Sequence, residues 1–225
     1  MYLEVSVKFK DRLFDGLERS IKRHWSYQKL IYNVKPEYLF TVSVADELTR
    51  GFYHHHGLDL ILELEKPTKE ISYEIVLNKV GWYKSLKKQI KLLKRKGKTG
   101  GKVDVFVTNE LSKDSFMVEL KGFDPSATEF KKDIKRFIDT FELNSGNTTI
   151  RECALVFPTK VDQSKWVIKQ LHKCKLPKNL IVDFESKYLL TGEDPEDGIP
   201  AYFGNVIILK RYSPPSTIVS CAQYI

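Results

Sequence analysis

The run Phe116-Met-Val-Glu-Leu-Lys121 places two charged side chains in an otherwise apolar stretch. In an extended chain successive side chains alternate faces, so Glu119 and Lys121 project one way while Val118 and Leu120 project the other. Burying such groups unpaired is costly, so this strand requires a bound ion, a partner or access to water. A second short apolar segment, Lys102 to Thr108, carries Asp104, and the polar stretch Asn109 to Ser115 between the two has hairpin length. A turn centred near residue 112 leaves three registers, with Asp104 opposite Glu119, Leu120 or Lys121. The first and third gather Asp104, Glu119 and Lys121 on one face, and the second separates them.

Two carboxylates about 4 Å apart repel by roughly 1 to 4 kcal/mol at effective dielectrics between those of water and a protein surface, so a shared face favours a cation. Oxygen ligands suit Mg²⁺ or Mn²⁺. Such an ion polarises a phosphate oxygen and acidifies bound water, while Lys121 orients that water and offsets developing negative charge. These are the parts of a phosphodiester hydrolase.

Around the hairpin the apolar periodicity predicts alternating helices and strands. Leu13, Leu17, Ile21, Trp25 and Ile31 recur at roughly helical spacing over 11 to 31, and Pro36 opens a second helix through Tyr38 to about Phe52. Leu58 to Leu64 reads as a strand and Ile71 to Val80 as another, with Pro67 in the turn between them. Tyr83, Leu86, Ile90 and Leu93 predict a basic helix up to Lys96, stopped by Gly97, Gly100 and Gly101. After Pro125, the residues Phe130, Ile134, Phe137, Ile138 and Phe141 predict a helix. Cys153 to Phe157, Leu180 to Phe184 and Val206 to Leu209 predict strands, and TGEDPEDGIP a loop.

With these elements in place, the arrangement resembles the PD-(D/E)XK nuclease family, in which an Asp lies in or ends one strand and an E-x-K triplet lies in the next. Val103-Asp104 stands where the family often has Pro-Asp, and Glu119-Leu120-Lys121 matches the triplet. The resemblance covers about residues 38 to 157. It implies an α/β, restriction-endonuclease-like core with a mixed central β-sheet flanked by helices, to which residues 1 to 35 add an N-terminal helical extension within a single domain. It also implies catalytic roles for Asp104, Glu119 and Lys121, and metal coordination by Asp104, Glu119 and the Leu120 carbonyl. Family members often add an acid from an upstream helix. Glu47 in VADELTRGF is the candidate here, with a simple ion pair to Arg50 as its ordinary alternative; Glu63, Glu65 and Glu74 are held in reserve.

Lys and Arg total 37 against 29 Asp and Glu, a net charge of +8, which favours polyanionic partners. The densest positive stretch, Lys84, Lys87, Lys88, Lys91, Lys94, Arg95, Lys96 and Lys98, leads towards Lys102 and the Asp104 strand. A solvated helix face explains it, and so does a phosphate-tracking surface beside the site. Lys131, Lys132, Lys135 and Arg136 follow the motif and stand as candidates for backbone contacts on its other side.

Three consecutive histidines, His54 to His56, point in different directions and do not close readily on one ion. Cys153, Cys174 and Cys221 show no zinc-ligand spacing and read as reduced thiols. No apolar run is long enough for a membrane span, and no GxxxxGK[ST], GxGxxG, HExxH or GxSxG motif is present. The expectation is an intracellular, metal-dependent endonuclease acting on DNA. A homodimer would suit double-strand cleavage. The alternatives are a nucleic-acid-binding or interaction protein that uses the same fold without catalysis, and an unrelated α/β protein with a fortuitous motif.

Overall fold

A computed structural model describes residues 2–29, 36–56, 60–77, 101–109, 114–143, 150–190 and 201–212. It is an α/β structure built on a six-stranded mixed sheet. The elements run α1 (Tyr2–Lys29), α2 (Pro36–His56), β1 (Leu60–Pro67), α3 (Thr68–Leu77), β2 (Lys102–Asn109), β3 (Ser115–Leu120), α4 (Ala127–Leu143), β4 (Ile150–Thr159), α5 (Ser164–Lys173), β5 (Leu180–Leu190) and β6 (Ala201–Arg211). In the sheet the strand order is β1-β2-β3-β4-β6-β5. Strands β1, β2 and β3 form an antiparallel meander, β4 joins β3 in parallel through α4, and β6 and β5 extend the sheet antiparallel.

Strand alternation sends one set of side chains to each face, and each face carries its own core. Val105, Val107, Val118, Leu120, Val156 and Ile208 meet α1 and α2, where Leu13, Leu17, Ile21, Trp25 and Phe40 are buried. Phe106, Met117, Leu155, Phe157 and Ile207 meet α3, α4 and α5 on the other side. Helices α1 and α2 can pack closely because Gly16 lies against Val44. A Cβ there would stand 2.7 Å from the Val44 Cα.

Helix α4 begins with a capping box. The Ser126 backbone N–H donates to Glu129 Oε2 at 3.0 Å, and the Glu129 N–H donates back to Ser126 Oγ at 3.2 Å. The helix then lays Phe130, Ile134, Phe137, Ile138 and Phe141 onto the sheet, as their spacing predicts.

One expected strand is a helix. Residues 68 to 77 form α3, because Ile71 and Ile75, four apart, both enter the core while Glu70 and Glu74 stay outside it. Within this segment a period near 3.6 overrides the two-residue alternation of Ile71, Tyr73 and Ile75. Helix α5 buries Val167 and Gln170. The basic helix expected from Tyr83 to Lys96 and the loop TGEDPEDGIP fall outside the described residues. Among the described residues, no helix is long and apolar enough to cross a membrane.

Candidate active site

The site forms where β2 begins and β3 ends. Val105 pairs with Val118 and Phe106 with Met117. The ladder ends at Val105 and Val118; continued by one step it would set Asp104 opposite Glu119, the first of the two registers that bring the motif residues together. The Asp104 carboxylate holds the strand end directly, because Leu120 donates its backbone N–H to Asp104 Oδ2 at 2.6 Å. Lys121 lies just beyond β3, and its backbone N–H donates to the Val156 carbonyl of β4 at 3.0 Å. This bond continues the β3 and β4 alignment past Leu120.

Alternation turns Glu119 towards α4, whose Asp133 and Arg136 interrupt the buried apolar stripe. Lys121 Nζ donates to Glu119 Oε1 at 2.9 Å and to the Leu120 carbonyl at 3.3 Å. Arg136 Nη1 donates to Glu119 Oε2 at 2.7 Å, and Arg136 Nη2 pairs with Asp133 Oδ1 at 3.1 Å. Asp133 Oδ2 closes the ring, 3.3 Å from Lys121 Nζ. It makes no hydrogen bond, although the Asp133 side chain is 2% exposed.

Arg136 also donates to the Lys102 carbonyl at 2.9 Å, which ties α4 to the start of β2. The preceding Gly101 has φ 138°, a conformation that favours glycine, and a Cβ there would lie in ordinary contact with the Arg136 guanidinium, 3.4 Å from Nη2. Glu37, exposed at the start of α2, accepts the Gly122 N–H at 3.1 Å and acts electrostatically on Asp104.

Burial and the facing Asp104 carboxylate push the Glu119 pKa up to about 7, despite its two cationic partners. Burial also raises Asp104; the Leu120 N–H and Lys121 oppose this, and Glu37 and Asp133 reinforce it. Burial acts to lower Lys121, but Glu119 and Asp133 outweigh it, so the ammonium is held above the ordinary lysine range. Among the described residues, four carboxylates (Glu37, Asp104, Glu119 and Asp133) face two cations (Lys121 and Arg136). That excess of acid is what a divalent cation would balance.

Among the described residues, no group of three or more His, Cys, Asp and Glu side chains is close enough to hold a metal ion. The donor set that the family resemblance implies would be two carboxylates, Asp104 and Glu119, and the Leu120 carbonyl. This set fits Mg²⁺, which usually keeps several waters and binds through one or two carboxylates.

The other candidates lie elsewhere. Glu47 is buried against α1, paired with Arg19 and with Arg12 at 3.5 Å, and Arg50 pairs instead with Asp46 at 3.2 Å. Ten residues of α2 separate Glu47 from Glu37, about 15 Å of helix, so the acid that α2 brings to the hairpin is Glu37. Glu63 and Glu74 enclose the buried Lys66 ammonium at 2.6 and 2.8 Å, and Glu65 binds Lys102 at 2.7 Å on the exposed surface. Lys131, Lys132 and Lys135 are exposed on α4, whereas Arg136 faces inward and is no surface phosphate contact. Lys84, Lys87, Lys88, Lys91, Lys94, Arg95 and Lys98 lie outside the described residues, as do the side chains of His54 to His56. Comparisons with protein-family models, with curated proteins and with solved structures returned no match for the chain.

Proposed function

We propose that this chain is a divalent-metal-dependent nuclease of the PD-(D/E)XK kind, hydrolysing phosphodiester bonds in DNA. The observation that carries the proposal is the register of β2 on β3, Val105 opposite Val118, which continued by one step would bring Asp104 to Glu119, whose Oε1 accepts a bond from Lys121 Nζ. The order α2, β1, α3, β2, β3, α4, β4 supports it. A helix, the motif hairpin in a mixed sheet, a following helix and a further strand are what the family resemblance implies, and α3 is an addition to it.

A cation held by Asp104, Glu119 and the Leu120 carbonyl would supply a polarised water and a counter-charge for the scissile phosphate. Asp104 and Glu119 contribute the negative charge that binds it. Lys121, kept cationic by Glu119 and Asp133, orients the attacking water and stabilises charge developing on phosphate. Arg136 fixes Glu119 from behind, so that this carboxylate presents one edge to the hairpin. The exposed Lys131 and Lys132 on the next helix offer sequence-independent contacts to the phosphate backbone.

The same clamp favours the second reading, a nucleic-acid-binding protein without catalysis, because both Glu119 oxygens already accept bonds from cations. Plasmid cleavage separates the two. Catalysis requires Mg²⁺-dependent nicking or linearisation that a chelator stops and Glu119→Ala abolishes while DNA binding survives. Binding without cleavage in either Mg²⁺ or Mn²⁺ would establish the second reading.

A further inference from the structure

Granted the cation site proposed above, we propose that Lys121 and the cation exchange places at Glu119 and Leu120, and that Asp133 is the positioning residue that receives the displaced ammonium. Lys121 Nζ holds Glu119 Oε1 at 2.9 Å and the Leu120 carbonyl at 3.3 Å. These are the oxygens that the cation also requires. An ammonium and a divalent ion on the same two oxygens would stand within a few ångströms of each other, in a site too buried for water to screen them. Binding one therefore moves the other.

Only Lys121 is free to yield. Arg136 is locked by three partners, Glu119, Asp133 and the Lys102 carbonyl, and is packed against Gly101. Lys121 stands on a flexible stem and, at 15% side-chain exposure, is the most exposed member of the ring. Its destination is already in place. Asp133 Oδ1 is taken by Arg136, while Oδ2 lies 3.3 Å from Nζ without a hydrogen bond. A small rotation of the lysine stem converts this ion contact into a hydrogen bond and frees Glu119 Oε1. Lys121 then stays charged and beside the cation, where it can act on water and phosphate.

The test is a Mn²⁺ titration of the full chain, followed by calorimetry or by the spin resonance of free Mn²⁺. Lys121→Met removes the competitor and should tighten Mn²⁺ binding by about tenfold or more. Asp133→Asn should weaken it by about tenfold in the wild-type background but by less than about threefold when combined with Lys121→Met, because the landing site matters only if there is an ammonium to receive. Lys121→Gln replaces Lys121→Met if the latter does not fold. Mn²⁺ binding that the Lys121 variant leaves unchanged or weaker, or an Asp133→Asn effect of equal size in both backgrounds, overturns the exchange and leaves the cation site standing. Failure of both wild type and the Lys121 variant to bind Mn²⁺ overturns the site itself and the exchange with it.

Discussion

Two buried glutamates, Glu47 between α1 and α2 and Glu119 between β3 and α4, each sit between two cationic side chains, yet their surroundings differ in charge. Around Glu47, the acids Asp11, Asp15, Asp46 and Glu47 share Arg12, Arg19, Arg50 and Lys187, so among the described residues the charges balance. Arg12 and Arg19 are also about one third exposed and keep contact with water. Around Glu119 the acids are in excess, and Arg136 is 6% exposed. The lesson is that burial and ion pairing do not distinguish a structural carboxylate from a ligand. What separates the two sites is the local charge: the helix pair balances its own, and at the hairpin the acids outnumber the cations.

The largest test of this contrast is catalytic. Glu119→Gln should lower the rate of Mg²⁺-dependent cleavage by about 10³-fold or more, as expected for loss of a group acting on the reacting atoms, whereas Glu47→Gln should change it by less than about threefold. Equal losses in steady-state cleavage assays would erase the distinction. Next comes stability. Arg136→Ala leaves Glu119 and Asp133 facing Lys121 alone and should cost about 3 to 5 kcal/mol in denaturant unfolding, the range for breaking a buried pair. Arg19→Ala, at a partly hydrated arginine with neighbours to take over, should cost on the order of 1 kcal/mol.

The third effect is pH dependence. The folded-state pKa of Glu119 lies above its ordinary value, so the native chain binds a proton more tightly than the unfolded chain. In chelator, stability should therefore be greatest below the unfolded pKa near 4.5 and fall as pH rises through about 7, other carboxylates held constant. The amplitude attributable to Glu119 is about 1 to 3 kcal/mol. Thermal unfolding of Glu119→Gln should lack that component, while Glu47→Gln should retain it. A pH profile unchanged by Glu119→Gln would show that the carboxylate is not under the strain its burial implies.

Much of this site follows from residue spacing alone. Asp104, Glu119 and Lys121 are legible because two-residue alternation fixes faces and a short turn limits the register. The same logic at helical period would have found Asp133 and Arg136, which fall three apart in the stripe containing Phe130, Ile134 and Phe137. A carboxylate and a guanidinium in a core stripe need partners as much as Glu119 does. Glu37 carries no comparable signal. Which turn of α2 approaches the hairpin depends on how two long helices pack across the sheet, and VADELTRGF is no nearer than the first turn in any pattern that sequence displays. The stretch from Ile71, expected as a strand to Val80, satisfies both alternation and the four-residue step of Ile71 and Ile75, and only packing on the α4 side of the sheet decides for the helix.

Crystals grown with Mn²⁺ and measured at the manganese absorption edge test the convergence of these groups most directly. The expected result is an anomalous peak bounded by the Asp104 and Glu119 carboxylates and the Leu120 carbonyl, with the Lys121 ammonium withdrawn towards Asp133. Full Mn²⁺ in the crystallisation solution with no peak at the hairpin, and Glu119 still clasped by Lys121 and Arg136, would contradict it.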